Sequence, residues 1–181
     1  MKILIMIGAK KNGNTDKLAK RFAEGALSAG HAVNTEYLFD KDIHGCIDCQ
    51  TCQKNGGVCV WQDDVPEILD KLIASDIVVF ASPVYFFSIS AQLKMFMDRA
   101  YAKMIQISDK KCYLLTTAAG PSSDYANNFQ RVAEPILGWL NCFENMEFVK
   151  TISEYDTGSV EISDSKACTE AFLAGKEIAV R

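Results

Sequence analysis

The sequence predicts an α/β protein built on a doubly wound parallel sheet. Five segments that read as strands alternate with five segments in which apolar residues recur at helical spacing. Residues 77–81 (IVVFA) are apolar throughout, which is typical of a strand covered by helices on both faces. Strands that alternate with helices in this way form parallel sheets with right-handed crossovers.

The predicted elements follow one another in a regular order. Strands are predicted at residues 3–7, 31–39, 77–81, 112–117 and 146–152. Helices are predicted at residues 15–29, 65–72, from after residue 90 to Tyr101, around 129–140 and at 165–179. Gly30 is the expected C-cap of the first helix, and Pro66 fits the first turn of the second. Residues 40–63 interrupt this order as an irregular insertion rich in cysteine.

Length and charge limit the possible functions. The 181 residues are enough for one substantial core, and a single domain spanning residues 1–181 is predicted. A net charge of −4, with no basic run, argues against a general nucleic-acid or anionic-membrane surface. The apolar run at residues 3–7 is too short for a signal sequence or a membrane span, which predicts a cytoplasmic protein.

The first fifteen residues, MKILIMIGAKKNGNT, predict a phosphate-binding junction. A buried strand passes into a helix through a polar loop, and the first N–H groups of that helix have no partner within it. Asn14 and Thr15 are expected to cap or donate, Gly8 and Gly13 to allow close approach, and Lys10 or Lys11 to add positive charge. The alternative is a solvated turn with the hairpin dipeptide Asn-Gly.

Two further loops should lie at the same edge of the sheet, because ligands of open α/β sheets bind beyond the carboxyl ends of the strands. Residues 82–90 (SPVYFFSIS) bring aromatic side chains into a loop, where a flat conjugated ligand would explain them. Alternatively, the aromatic rings cover the core or face another subunit. Residues 118–124 offer small residues and hydroxyl groups for backbone contact with a ligand.

No acid, base or nucleophile stands out, so no catalytic residue is predicted. His31 and His44 fall outside the three loops and are expected to be satisfied or solvent-facing. Lys94, Asp98 and Arg99 lie at helical spacing and are expected on a solvated helix face with capping or ion-pair roles.

The sequence resembles the flavodoxin-like NAD(P)H-dependent FMN reductases, and within that group the iron-sulfur flavoproteins. The resemblance rests on GAKKNGNT at residues 8–15, CIDCQTCQKNGGVC at 46–59 and SPVYFFSISAQLKMFMDR at 82–99. It implies a flavodoxin-like five-stranded sheet of order 2-1-3-4-5, bound FMN, NADH or NADPH as co-substrate, and a homo-oligomer, dimer or tetramer. The usual Gly-Ser-Pro-Arg start is replaced here by Gly8-Ala9-Lys10, which lacks the Ser hydroxyl.

The resemblance also implies the site residues. The phosphate would be held by the first loop and the isoalloxazine ring by residues 83–87, with the third loop nearby. The expected cofactor-binding residues are Lys10, Asn12, Asn14, Thr15, Ser82, Pro83, Val84, Tyr85, Phe86, Phe87, Ala119 and Gly120.

The cysteine-rich insertion allows two interpretations. Cys46, Cys49, Cys52 and Cys59 form C-x2-C-x2-C-x6-C, and this spacing lets four thiolates converge on a 4Fe-4S cluster, whereas zinc sites usually have two separated pairs. The alternative is that free thiols, or an adventitious disulfide, merely shape the loop. The other three cysteines are expected to be small core residues; they are Cys112, Cys142 and Cys168.

Three functions remain open at this point. The first is an FMN oxidoreductase that moves electrons from NAD(P)H to a quinone, a free flavin or another small acceptor. The second is an electron carrier, either a flavodoxin or an iron-sulfur flavoprotein that receives electrons from ferredoxin. The third is a cysteine-based metal or redox sensor. The modest charge of −4 favours the enzyme over an acidic carrier.

Overall fold

The computed structural model describes residues 1–125, 129–158 and 162–179. Its five strands form one parallel sheet of order β2-β1-β3-β4-β5, which confirms the predicted fold class and strand order. The strands are β1 (Lys2–Ile7), β2 (Ala32–Tyr37), β3 (Ile77–Pro83), β4 (Lys111–Thr117) and β5 (Glu147–Glu154).

Helices cover both faces of the sheet. They are α1 (Asn14–Ser28), α2 (Thr51–Lys54), α3 (Val65–Ala74), α4 (Ala91–Arg99), α5 (Ser122–Tyr125), α6 (Phe129–Leu140) and α7 (Lys166–Lys176). Side chains of α1 and α7 pack with Ile3 and Ile5 on one face, whereas those of α3, α4 and α6 pack with Leu4 and Met6 on the other. Both faces of β1 are therefore buried, because successive side chains of a strand point to opposite sides.

The strand order places a switch point between β1 and β3. From β1 the chain runs outward to β2 and then returns across β1 to β3, which pairs with β1 from Ile3 opposite Ile77 to Ile7 opposite Ala81. The connections after β1 and β3 consequently leave the sheet on opposite faces and open a crevice between them. Two of the three loops predicted to bind a ligand, those after β1 and β3, begin at this crevice.

Two glycines allow α1 and α7 to pack backbone against backbone. A Cβ atom built on Gly25 would lie 1.9 Å from the carbonyl oxygen of Phe172. A Cβ atom built on Gly175 would lie 2.2 Å from the carbonyl oxygen of Phe22. Neither distance is tolerated by real atoms, so this contact requires glycine on both helices.

The structure departs from the sequence predictions at a few points. The predicted loops around residues 51–54 and 122–125 contain the short helices α2 and α5, and Tyr101 lies in a 3-10 segment (Ala100–Gln106) that follows α4. β3 extends to Pro83, so that Ser82 and Pro83 end a strand and the loop proper begins after them. Among the described residues, none of the helices has the length and apolar character needed to cross a bilayer.

The prediction for the three isolated cysteines is wrong at one position. Cys112 and Cys168 are buried as expected. Cys142 is exposed and lies in the turn after α6, where its thiol donates to the carbonyl oxygen of Gly138 at 3.4 Å. The helix ends at Leu140, so the chain has already turned away from the core at this cysteine.

Candidate functional site

A cleft of about 420 Å³ opens at the carboxyl edge of the sheet, within the usual range of small-molecule and cofactor sites. The loops after β1, β3 and β4 meet there, and the segment after β5 completes the wall. The residues that line the cleft are Ala9, Lys10, Asn12, Gly13, Asn14, Thr15, Pro83, Val84, Tyr85, Thr117, Ala119 and Thr157. The expectation that the three loops meet at one edge is confirmed.

The first loop presents the start of α1 to the cleft. Gly13 is the N-cap residue and supplies no side-chain cap, so the positive end of the helix faces the cleft. The expectation that Asn14 or Thr15 caps or donates is met only by donation: both residues lie inside the first turn and do not cap it, but the Asn14 side chain donates to the Thr157 carbonyl oxygen. Asn12 has a left-handed backbone with φ of 61°, which is uncommon outside glycine but tolerated by asparagine.

The structure distinguishes the two lysines of this loop. Lys10 lines the cleft and is exposed. Lys11 points away, since its Nζ lies 2.6 Å from the Asp40 carboxylate and 4.9 Å from the centre of the Tyr37 ring. Of these two ammonium groups, only that of Lys10 is available to a ligand in the cleft.

A network of short contacts joins the first turn of α1 to the ends of β4 and β5. The hydroxyl groups of Thr15 and Thr117 lie 2.7 Å apart, and both residues are buried. Asn14 donates from Nδ2 to the carbonyl oxygen of Thr157 at 2.9 Å, and Thr157 donates from its hydroxyl to the carbonyl oxygen of Ala118 at 3.0 Å. Sequence reasoning missed Thr117 and Thr157, because nothing in the local pattern reveals that these two strand ends reach the first loop.

The aromatic loop is a tight two-residue turn. Tyr85 and Ser88 exchange backbone hydrogen bonds of 3.0 Å in both directions. The two central residues, Phe86 and Phe87, have φ of 48° and 59°, as a type I′ turn requires. Such a backbone is strained for bulky residues, and strain of this kind concentrates at binding sites.

The turn displays its aromatic rings to solvent. Phe86 is fully exposed, and its ring borders a second groove of about 680 Å³ that runs past Lys94 to Pro135. Tyr85 lies on the wall between this groove and the cleft, since it lines both. The aromatic rim predicted from the sequence is therefore present beside the cleft.

Four of the predicted cofactor-binding residues do not line the cleft; they are Ser82, Phe86, Phe87 and Gly120. Ser82 is fully buried and braces the loop instead: its hydroxyl accepts from the Ser90 amide at 2.8 Å and donates to the Pro83 carbonyl oxygen at 2.9 Å. The other eight do line it: Lys10, Asn12, Asn14, Thr15, Pro83, Val84, Tyr85 and Ala119.

The four clustered cysteines line one small cavity beneath Trp61 and Tyr101; they are Cys46, Cys49, Cys52 and Cys59, and all four are free. The space accessible inside is about 20 Å³, enough for about one water molecule. Hydrogen bonds from Thr51 lower the pKa of the Cys49 thiol, although burial opposes them. Within the described residues, no three His, Cys, Asp or Glu side chains are arranged to hold a metal ion.

A buried ion pair ties this insertion to α4. Arg99 donates from Nη1 to the Asp63 carboxylate at 2.7 Å and from Nη2 at 3.1 Å, and both side chains are almost wholly buried. Arg99 also donates to the His44 carbonyl oxygen at 2.8 Å. The expectation that Arg99 lies on a solvated helix face is therefore wrong, whereas Lys94 and Asp98 do pair on the exposed face.

The protonation of this pair is well defined. Burial by itself would raise the pKa of Asp63, but hydrogen bonds from Arg99 and from the backbone amides of His44 and Val65 outweigh it and lower that pKa. The Arg99 guanidinium shows the matching change, because the Asp63 carboxylate raises its pKa against the opposing effect of burial. Both groups are charged at neutral pH.

Neither histidine lines the cleft, as the sequence predicts. His31 is buried, with Nε2 at 3.1 Å from the carbonyl oxygen of Ile178. His44 stacks on Trp61 with ring centres 4.4 Å apart. Both rings are held by structural contacts.

A parallel sheet of this order, with an uncapped helix start and an aromatic rim at its switch point, defines a protein of the flavodoxin-like fold. Residues 1–149 match the family model of NADPH-dependent FMN reductases, and the chain belongs to that family. The resemblance drawn from the sequence is confirmed.

Individual relatives are similar over part of their length. An iron-sulfur flavoprotein of Methanocaldococcus jannaschii is 41% identical over 103 residues, 55% of this chain and 52% of that protein. YwqN of Bacillus subtilis, named as an NAD(P)H-dependent FMN-containing oxidoreductase, is 36% identical over 100 residues, 55% of this chain and 51% of that protein. This chain thus spans about half the length of these curated relatives.

The fold also matches a solved structure along its whole length. The NAD(P)H:quinone oxidoreductase from Methanothermobacter marburgensis superposes with a TM-score of 0.75 at 18% identity, covering 100% of this chain and 97% of that one. At this identity the match establishes the shared fold.

Proposed function

We propose that this protein is an FMN-dependent oxidoreductase that takes electrons from NADH or NADPH and reduces a quinone, a free flavin or another small acceptor. The observation that carries the proposal is the cleft itself, which has the start of α1 and Lys10 on one side and the wall of Pro83, Val84 and Tyr85 on another. Such a cleft suits a ligand with an anionic tail and a flat apolar head.

The residues present fit FMN and divide its binding between them. The first turn of α1, together with Lys10, would hold the phosphate through backbone N–H groups and one ammonium. Pro83 and Val84 would border the ring, and Tyr85 would leave the adjoining groove open to a second planar molecule. FMN supplies the redox chemistry when it is bound, so the chain needs no acid, base or nucleophile of its own.

Neutralising Lys10 tests the phosphate side of the cleft. We expect Lys10→Met to raise the Kd of FMN about fivefold, roughly 1 kcal/mol for a partly exposed ion pair, while Lys11→Met leaves it unchanged because Lys11 is engaged with Asp40. Quenching of flavin fluorescence measures the Kd, and steady-state oxidation of NADH and NADPH measures the activity. Wild-type protein that binds no FMN would refute the proposal. Equal effects of the two variants on the Kd would show that Lys10 does not hold the phosphate.

The second candidate is an iron-sulfur flavoprotein that carries electrons, with ferredoxin as its donor. Four free cysteines on one cavity favour it, since thiolates are the ligands of such clusters. The ligand chemistry fits, but the cavity as it stands is too small, so a 4Fe-4S cluster would require the loop around α2 to open.

A homo-oligomer, dimer or tetramer, remains part of either proposal.

Substitution of one cysteine separates the two candidates. If a cluster is bound, anaerobically purified protein contains iron and sulfide and shows broad visible absorbance, and Cys46→Ser abolishes both. Cys142→Ser is the matched control, because Cys142 is equally exposed but lies outside the insertion. Iron-free wild-type protein that still oxidises NAD(P)H would leave the enzyme as the function and the four thiols as loop residues.

A further inference from the structure

Asp16 is a fully buried carboxylate directly beneath the phosphate side of the cleft. It occupies the first turn of α1 but does not itself line the cleft. Its Oδ2 accepts from the backbone amide of Asn12 at 2.7 Å and from the Lys20 ammonium at 2.9 Å. Its Oδ1 accepts from the Tyr37 hydroxyl at 2.9 Å.

Electrostatics alone would make this residue unfavourable for the proposed ligand. A carboxylate near the start of a helix occupies the same positive potential that a phosphate would use, and the two anions repel each other. Lys20 offsets part of this charge, because its Nζ lies 2.9 Å from the Asp16 carboxylate. The same Nζ also donates to the side-chain oxygen of Asn12 at 3.4 Å. The charge of Asp16 therefore does not explain why a buried carboxylate occupies this position.

The hydrogen bond that Asp16 accepts from Asn12 gives a different explanation. Asn12 has a left-handed backbone, which is disfavoured for a residue with a side chain, and its amide donates to the Asp16 carboxylate at 2.7 Å. The turn that carries Lys10 and Gly13 into the cleft passes through Asn12. The Gly13 amide also closes this turn by donating to the Lys10 carbonyl oxygen at 3.3 Å, so removing the Asp16 acceptor would release one of two backbone hydrogen bonds that hold it.

We propose that Asp16 is a positioning residue that sets the loop of residues 8–14 in the conformation that receives the phosphate of FMN. The inference rests on the proposed function. Tyr37, at the end of β2, holds the carboxylate in place. The loop, which follows β1 in the chain, is therefore also tied to the edge strand β2. Burial, followed by the hydrogen bond to Asp16, raises the pKa of Tyr37 to about 12, and the phenol remains a donor at neutral pH.

Three variants separate positioning from charge. We expect Asp16→Ala to raise the Kd of FMN at least tenfold, Asp16→Asn to raise it less because one acceptor oxygen remains, and Tyr37→Phe to raise it two- to fivefold. Riboflavin, which lacks the phosphate, should bind all four proteins alike. If Asp16 acts only through its charge, both Asp16 variants will bind FMN more tightly than wild type, which overturns the inference.

Hydrogen exchange of the protein without FMN gives a second readout. In Asp16→Ala, the amides of residues 8–14 should exchange at least tenfold faster while those of β3 and β4 stay unchanged, which also shows that the variant is folded. Unchanged exchange in the loop together with an unchanged FMN Kd would overturn the inference. Wild-type protein that binds no FMN would instead defeat the proposed function, so the two failures are distinguishable.

Discussion

Replacing Arg99 by Met is expected to lower the free energy of unfolding by about 3–5 kcal/mol, the usual result of removing one partner of a buried ion pair. The variant would leave the Asp63 carboxylate, which is wholly buried, without its two guanidinium hydrogen bonds. It would also release the His44 carbonyl oxygen. Urea denaturation followed by circular dichroism measures the change.

Two companion variants show whether the loss comes from the unpaired charge. The double variant Asp63→Leu/Arg99→Met removes both charges and should recover a large part of the stability. Lys94→Met on the same helix removes an exposed pair with Asp98 and should change stability by less than about 0.5 kcal/mol. An Arg99→Met effect no larger than that of Lys94→Met would contradict the account.

The same pair gives a pH dependence with a definite sign. Because the pKa of folded Asp63 lies below its ordinary value of 3.8, the stabilisation is fully present above about pH 4. It is lost as the pH falls further and the folded carboxylate takes up a proton. Unfolding curves at pH 7, 5 and 3 should therefore show a loss of stability for wild type below pH 4, whereas the contribution of this group should hardly change between pH 5 and 7.

Gly25→Ala is the second substitution with a large expected effect. The added methyl group would lie 1.9 Å from the Phe172 carbonyl oxygen, so α1 and α7 must move apart. Overpacking of this kind costs about 1–3 kcal/mol, and a backbone atom cannot rotate out of the way as a side chain can. A drop in the urea midpoint measures it, and Gly175→Ala should act similarly from the opposite helix.

Gly138→Ala in α6 is the matched control. A Cβ atom there meets nothing within 4 Å, so the substitution changes only helix propensity. We expect the free energy of unfolding to rise by roughly 0.5–1 kcal/mol. The same substitution should thus have opposite signs in two helices of one protein. A stabilising Gly25→Ala would show that the two helices are not in backbone contact.

The sequence alone predicts the frame of the fold because the signals are local and repeated. The inner strands β1, β3 and β4 are short, mostly apolar runs, and the helices carry apolar residues at helical spacing, so their order implies the sheet. The close packing of Gly25 on α7 cannot be predicted from such local patterns. A glycine in a helix signals only weaker helix formation until the facing helix is known.

The candidate site likewise has features that the sequence predicts and features that it does not. Its three loops could be predicted, since each follows a strand and parallel strands end at one edge. Arg99 was misplaced because a charged residue at helical spacing looks solvated, and only its distant partner Asp63 reveals that it is buried. Thr157 was missed because it joins the cleft through Asn14, more than a hundred residues earlier in the chain.

The turn at Phe86 and Phe87 has a consequence for how this protein can evolve. Left-handed backbone costs about 1–2 kcal/mol for each residue with a side chain, so these two phenylalanines oppose folding where Asn-Gly would favour it. Selection for thermal robustness alone would replace them. Keeping them is then a trade-off in which folding free energy is sacrificed to hold two exposed aromatic rings on the loop beside the cleft.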